Sequence, residues 1–131
     1  MTNNKIYFIF IYVLLSIFIF CNCNQYGYLK SDVEIVNFGM VNNDKPLSAS
    51  FKLINIGKYT VVIDGIEKDC WCVQIDLKKN LLIPGDSTNL IITMDTLGKG
   101  YFDQKILINS RNLEFPKLLL VRGEFLPRII N

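Results

Sequence analysis

Ser48-Ala49-Ser50-Phe51-Lys52-Leu53, running into Asn55-Ile56-Gly57-Lys58, is the stretch that decides the fold. Ala49, Phe51 and Leu53 alternate with Ser48, Ser50 and Lys52. A period of two places one set on a core face and the other in water, which describes a half-buried strand and not a helix. The residues that follow are turn chemistry, with Gly57 free to take a positive φ.

Both signals recur on either side. Leu90, Ile92 and Met94 alternate with Asn89 and Thr93, and Phe102, Ile106 and Ile108 lie opposite Asp103 and Lys105. Leu118 and Leu120 share a face in a last strand before Gly123, and Val33 to Phe38 and Val61 to Ile66 are further β-rich runs. Pro84-Gly85-Asp86, Gly98-Lys99-Gly100 and the segment Asn109 to Asn112 break the runs. Six to eight short strands spaced about ten residues apart, with no helix between them, predict an all-β sandwich over residues 32–127. A sandwich of that size can close its core on aliphatic and aromatic side chains alone.

The first two dozen residues read differently. Met1 to Lys5 is a short polar start with one positive charge, and Ile6 to Phe20 is an uncharged apolar run. That layout is a secretory signal. As a helix the run rises about 22 Å, short of the roughly 30 Å hydrocarbon core of a bilayer. Cys21 and Cys23 follow it directly in Phe20-Cys21-Asn22-Cys23-Asn24. A cysteine there resembles the lipid-modified residue of a bacterial lipoprotein, with Cys23 preferred over Cys21 because Asn22 is smaller than Phe20. The expected organisation is a signal segment over residues 1–22, a tether over 23–31 and then the sandwich. No acidic cluster follows either cysteine, so a periplasm-facing place in the cell envelope, at the outer membrane, is expected.

Composition excludes several chemistries. The 131 residues contain no histidine, which removes Ser-His-Asp and Cys-His catalysis and histidine-based zinc sites. Of 14 basic side chains only Lys5 lies in the signal segment, so 13 face 12 acidic ones without any block of like charge. Nucleic-acid binding needs a concentrated basic face, and none is expected here. No catalytic residue, cofactor or metal site is expected either.

The assembled motifs resemble those of a known bacterial family. Val36-Asn37-Phe38-Gly39-Met40-Val41 resembles its opening Asp-Phe-Gly strand, with Asn37 in place of Asp. Phe51-Lys52-Leu53-Ile54-Asn55-Ile56-Gly57 resembles its Phe-x-Phe-x-Asn-x-Gly segment, and Asp69-Cys70-Trp71-Cys72-Val73 its Ser-Cys-Gly-Cys-Thr signature. Ile83-Pro84-Gly85-Asp86-Ser87, Gly100-Tyr101-Phe102 and Arg122-Gly123-Glu124-Phe125 follow in the family's order. The family is the domain of unknown function 1573, related in fold to the Hydin and major-sperm-protein type of immunoglobulin-like domain. The resemblance implies an immunoglobulin-like β-sandwich of seven to eight strands, exported or lipid-anchored, and no established activity. Trp71 in place of the signature's central Gly is a departure from it.

Cys70 and Cys72 are the candidates for chemistry. In an extended strand residues i and i+2 are nearly too far apart to bridge, whereas in a turn they form a small ring. Three readings stay open: a structural bridge or half-buried thiol pair shaping the loop, a thiol–disulfide exchange site, or a soft-metal site for Cu(I) or Zn. Two sulfurs are too few for closed zinc, and Met40 and Met94 are the remaining sulfur donors, Met94 reading better as core. Trp71, between polar Asp69 and Gln74, reads as an exposed interface anchor, and Tyr101 is a second interface or glycan-stacking candidate. The function expected is a protein-binding module that docks onto another envelope protein, by an open sheet edge near Val33 to Phe38 or by the cysteine loop, with its lipid in the membrane. The alternative is a thiol-redox or metal-binding protein using Cys70-Trp71-Cys72.

Overall fold

The computed structural model describes residues 3–19, 25–42, 44–95 and 98–127. A helix, α1 (Asn3–Ile19), precedes ten strands. Four form sheet I in the order β1 (Leu29–Ser31), β3 (Leu47–Asn55), β8 (Ser87–Met94), β6 (Val73–Leu77). Four form sheet II in the order β2 (Ile35–Val41), β10 (Lys117–Phe125), β9 (Gly100–Asn109), β5 (Gly65–Lys68). A short pair, β4 (Val61–Val62) with β7 (Leu81–Leu82), completes the strands. The expected all-β sandwich is what the chain forms, with eight strands in its two main sheets.

Alternation decides which side chains meet between the sheets. Phe51, Leu53, Leu90 and Ile92 come from sheet I, Ile106, Ile108, Leu119 and Val121 from sheet II, and all are buried. Burying each contributes about 1.5–3 kcal/mol. In β10 the core face is Leu119, Val121 and Phe125, so the Leu118/Leu120 pair faces outward. The run Leu118–Val121 is apolar at every position, and the packing of Phe125 against Phe102, with centroids 4.7 Å apart, agrees with the buried Leu119 and Val121 on which parity is inward.

The sandwich begins earlier than residue 32. Leu29 to Ser31, expected within the tether, pair with Asn55 to Leu53 of β3, and Leu29 and Ser31 are buried. β1 and β2 then behave as one edge strand that changes sheets without turning back. Asp32 N–H still donates to Lys52 of β3 at 3.1 Å, while Glu34 O already accepts from Leu120 of β10 at 2.8 Å. Because the chain keeps its direction, β2 lies parallel to β10, whereas the other pairings within the two main sheets are antiparallel. The β2 pairing slips by one residue where Asn37 to Met40 oppose Arg122 to Glu124. Gly39, at φ 65°, supplies the left-handed residue this bulge needs.

Gly57 does not take the positive φ expected of it, since among the described residues only Gly39, Gly85 and Gly100 do. Its small size serves a close approach instead: a Cβ there would lie 2.6 Å from the Tyr28 nitrogen.

Candidate functional site

The strand ends define two poles. At the N-terminal pole the chain enters through Gly27, whose N–H donates to Asn112 O at 2.6 Å. The loops after β3, before β8 and between β9 and β10 gather there. Asn55, wholly buried, organises them. Its side-chain N–H groups donate to Tyr59 O at 2.8 Å and Leu82 O at 2.9 Å, and its Oδ1 accepts from Gly57 N–H at 3.0 Å. Its backbone also exchanges hydrogen bonds with Gly85 and Asp86. The Asn-x-Gly motif was visible in the sequence, but the role of Asn55 as the hub of this pole was not.

A groove of about 340 Å³ opens at the same pole, beside the β1–β2 edge, with Tyr28, Ile56 and Phe115 on its walls. Lys117 donates to the Glu34 carboxylate at its rim. That hydrogen bond, and then the charge of Lys117, holds the Glu34 carboxyl below its ordinary pKa. Asp86 is lowered in the same sense, first by its hydrogen bond from Lys79 at 2.6 Å.

At the far pole the chain crosses from β5, at the edge of sheet II, to β6, at the edge of sheet I, through Asp69 to Cys72. Cys70 and Cys72 are joined in a disulfide with Cα atoms 5.2 Å apart, the bonded form that a structural bridge and a thiol–disulfide exchange site share. The bridge closes because these residues sit in a turn and not in a strand. Cys72 N–H donates to Cys70 Sγ at 3.1 Å, Val73 N–H to Cys70 O at 3.3 Å, and Asp95 N–H to Cys72 O at 3.2 Å. Both sulfurs are committed to each other, so neither offers a thiolate to a soft metal. Met94 lies in the core opposite Val73 and Met40 is exposed on β2. Among the described residues no three His, Cys, Asp or Glu side chains gather as a metal site.

Trp71 stands 84% exposed on this turn. Tyr101 is 65% exposed on the outer face of sheet II, laterally beside Glu124. The two are not brought together by strand pairing, because β5 stops opposite Ile106, five positions along β9 from Tyr101. Cys21 and Cys23 lie outside the described residues.

The open edge expected near Val33 to Phe38 is present as β2, shifted to Ile35–Val41 and, among the described residues, paired on one side only, with β10. Beside it lies a feature the alternation rule hid: Ile35, Leu118, Leu120 and Leu107 share the outer face of sheet II, next to one another in register. Ile35 and Leu118 are exposed and the other two are half-covered.

Comparison with known proteins supports the same architecture. The family described as protein of unknown function DUF1573 matches residues 29–125. A protein of unknown function from Porphyromonas gingivalis W83 superposes with a TM-score of 0.67 at 17% identity, over 82% of this chain and 50% of that one. The PapD-like domain 7 of human CEP192 superposes with a TM-score of 0.63 at 11% identity, over 77% of this chain and 87% of that domain. The VesB protease of Vibrio cholerae gives 0.55 at 17% identity, over 85% of this chain and 34% of the protease. The chain thus spans half of the first of these proteins and a third of the protease. At such identities the likeness shows the immunoglobulin-like fold alone. No curated protein matches the sequence.

Proposed function

We propose, from the premise that the chain belongs to the DUF1573 family of proteins of unknown function, that it is a non-catalytic, lipid-anchored module that binds another protein of the cell envelope. The observation that carries this reading is the half-open edge strand β2 with an apolar strip on the outer face beside it. Soluble domains normally blunt such an edge, and an unpaired strand bordered by apolar side chains offers main-chain hydrogen bonds and side-chain contacts together. The bulge at Gly39 limits strand addition to the Ile35–Asn37 half, which is the half that borders Leu118 and Leu120. Trp71 supplies a second exposed anchor at the far pole.

The anchoring half of the reading rests on the N-terminus. The apolar side chains from Ile6 to Ile17 are exposed, so the sandwich does not cover them. Among the described residues no helix is long and apolar enough to cross a membrane. A signal helix that delivers Cys23, or Cys21 in second place, to lipid modification accounts for both facts. The location that follows is periplasm-facing, at the outer membrane.

Photo-crosslinking in cells tests the binding half. A crosslinker at Ile35 or Leu118 is expected to trap one and the same envelope protein, while one at Lys52, exposed on sheet I, traps none. Ile35→Asp should abolish the Leu118 adduct, and Trp71→Ala should weaken it while leaving the fold's melting temperature unchanged. Adducts that are absent, or equal at all three positions, would overturn the proposal.

A further inference from the structure

We infer that the N-terminal pole is a membrane-seating surface that rests on the anionic bilayer carrying the anchor. The inference depends on the lipid-anchored reading above and adds to it an orientation. The first ground is the length of chain available. Gly27 is fixed in the sandwich: its N–H is bonded to Asn112, it bridges in parallel to Leu113, and a Cβ on it would lie 2.2 Å from Val61 Cγ2. Cys23 lies four positions before it and Cys21 six. At about 3.5 Å per residue the leash is at most roughly 14 or 21 Å. Strand β3 alone, with nine residues, runs about 30 Å. The anchor therefore holds this pole near the lipid and keeps the far pole, with Trp71, away from it.

The second ground is what the pole exposes. Tyr26 (46%), Tyr28 (54%), Ile56 (55%) and Phe115 (70%) project around the groove where the chain enters. Lys30 is exposed at the groove and Lys58 next to Gly57, with the acidic Glu34 and Glu114 exposed at the same pole and Glu34 paired with Lys117. Amphipathic tyrosines, an aromatic wedge and lysines that can extend to phosphates are the combination that sits well at headgroup depth. A soluble face would have no use for four large apolar side chains at the point where the anchor joins.

The single tryptophan of the chain makes the test direct. The full chain, purified from membranes, is reconstituted into phosphatidylethanolamine–phosphatidylglycerol vesicles with and without brominated acyl chains, and flotation is checked first. In the wild type the only indole is Trp71; in a second protein, Trp71→Phe with Phe115→Trp, the indole sits at the N-terminal pole. Bromine is expected to quench the second protein about twofold or more and to leave the first nearly untouched. If both float but neither is quenched, the pole faces away from lipid, toward protein or solvent. The orientation is then wrong while the anchor stands. Equal quenching of both would mean the domain holds no fixed orientation, which also overturns the inference. Failure to float would overturn the anchor and the seating surface together.

Discussion

The two poles of the sandwich are held by opposite means. At the N-terminal pole a buried amide does the organising: through its side chain Asn55 satisfies two backbone groups of the loop after β3 and one of β7, and Asn112 ties Thr60 to the chain's entry at Gly27. At the far pole a covalent ring of three residues closes the crossover between sheets. The difference matters for what each pole can expose. A loop built around a buried side chain must spend that side chain on packing. A loop closed by its own disulfide need not, so Trp71 is left 84% exposed without loss of shape. The ring leaves a large aromatic free for contact, and tryptophan can stand where the family signature has glycine because the position takes no positive φ here.

Breaking the buried hub should have the largest effect. Asn55→Ala leaves Tyr59 O, Leu82 O and Gly57 N–H without their partner in a site closed to water. At roughly 1 kcal/mol for each orphaned group the cost is about 3 kcal/mol. Urea denaturation measures it as a lowered midpoint at unchanged slope. A loss below about 1 kcal/mol would mean that water replaces the amide and that this pole has no hub.

Opening the ring should cost about half as much. Loop-closure entropy for a three-residue ring amounts to about 1.5 kcal/mol. Cys70→Ser with Cys72→Ser, or reduction of the wild type, should lower stability by that amount and leave the strand signal in circular dichroism intact. The Trp71 emission should change in band shape or anisotropy, since its turn is no longer closed. A stability change near zero would show that the hydrogen bonds from Val73 and Asp95 suffice to shape the crossover, and the contrast between the poles would shrink accordingly.

The two poles were also unequally legible in the sequence. β3, β8 and β9 could be read because polar residues recur on one side of each, Ser48, Ser50 and Lys52, then Asn89 and Thr93, then Asp103 and Lys105, although Ile54, Ile91 and Leu107 interrupt the alternation. β1 could not: it has three residues, and the one beside the crossover, Ser31, is buried although polar, with its hydroxyl donating to Val33 O at 2.6 Å. The parity of β10 was hidden for the opposite reason, because both faces are apolar over Leu118–Val121. That failure is informative, since alternation breaks down where the outer face of sheet II is itself apolar. The cysteines were plain, but their bond depends on a turn that no local residue specifies. The Asp32 carboxylate was invisible as a device: it accepts from Val33 N–H at 2.8 Å and Lys52 N–H at 3.0 Å, and so steadies the change of sheets.

The smallest effect expected, and the sharpest probe of one pole against the other, is on acid stability. Both carboxyls with lowered pKa, Glu34 and Asp86, sit at the N-terminal pole. A lowered pKa means that below the ordinary value the unfolded chain binds more protons than the folded one. The stabilisation is therefore complete above that value and is lost as pH falls through the folded pKa. For Glu34 the loss begins below about pH 4.5. The pair is asymmetric, with the Lys117 side chain 17% exposed and the Glu34 side chain 60%, so solvent screens it and its weight at neutral pH is small. Glu34→Gln should accordingly leave the pH 7 midpoint nearly unchanged and flatten the decline of stability below pH 4.5. In wild-type protein, hydrogen exchange on acidification should rise first in Leu29–Ser31 and the segment next to Lys117, before Val73–Leu77 at the disulfide pole. A uniform rise along the chain would show that the two poles loosen as one unit, with their different fastenings acting on the shared core and not on each end separately.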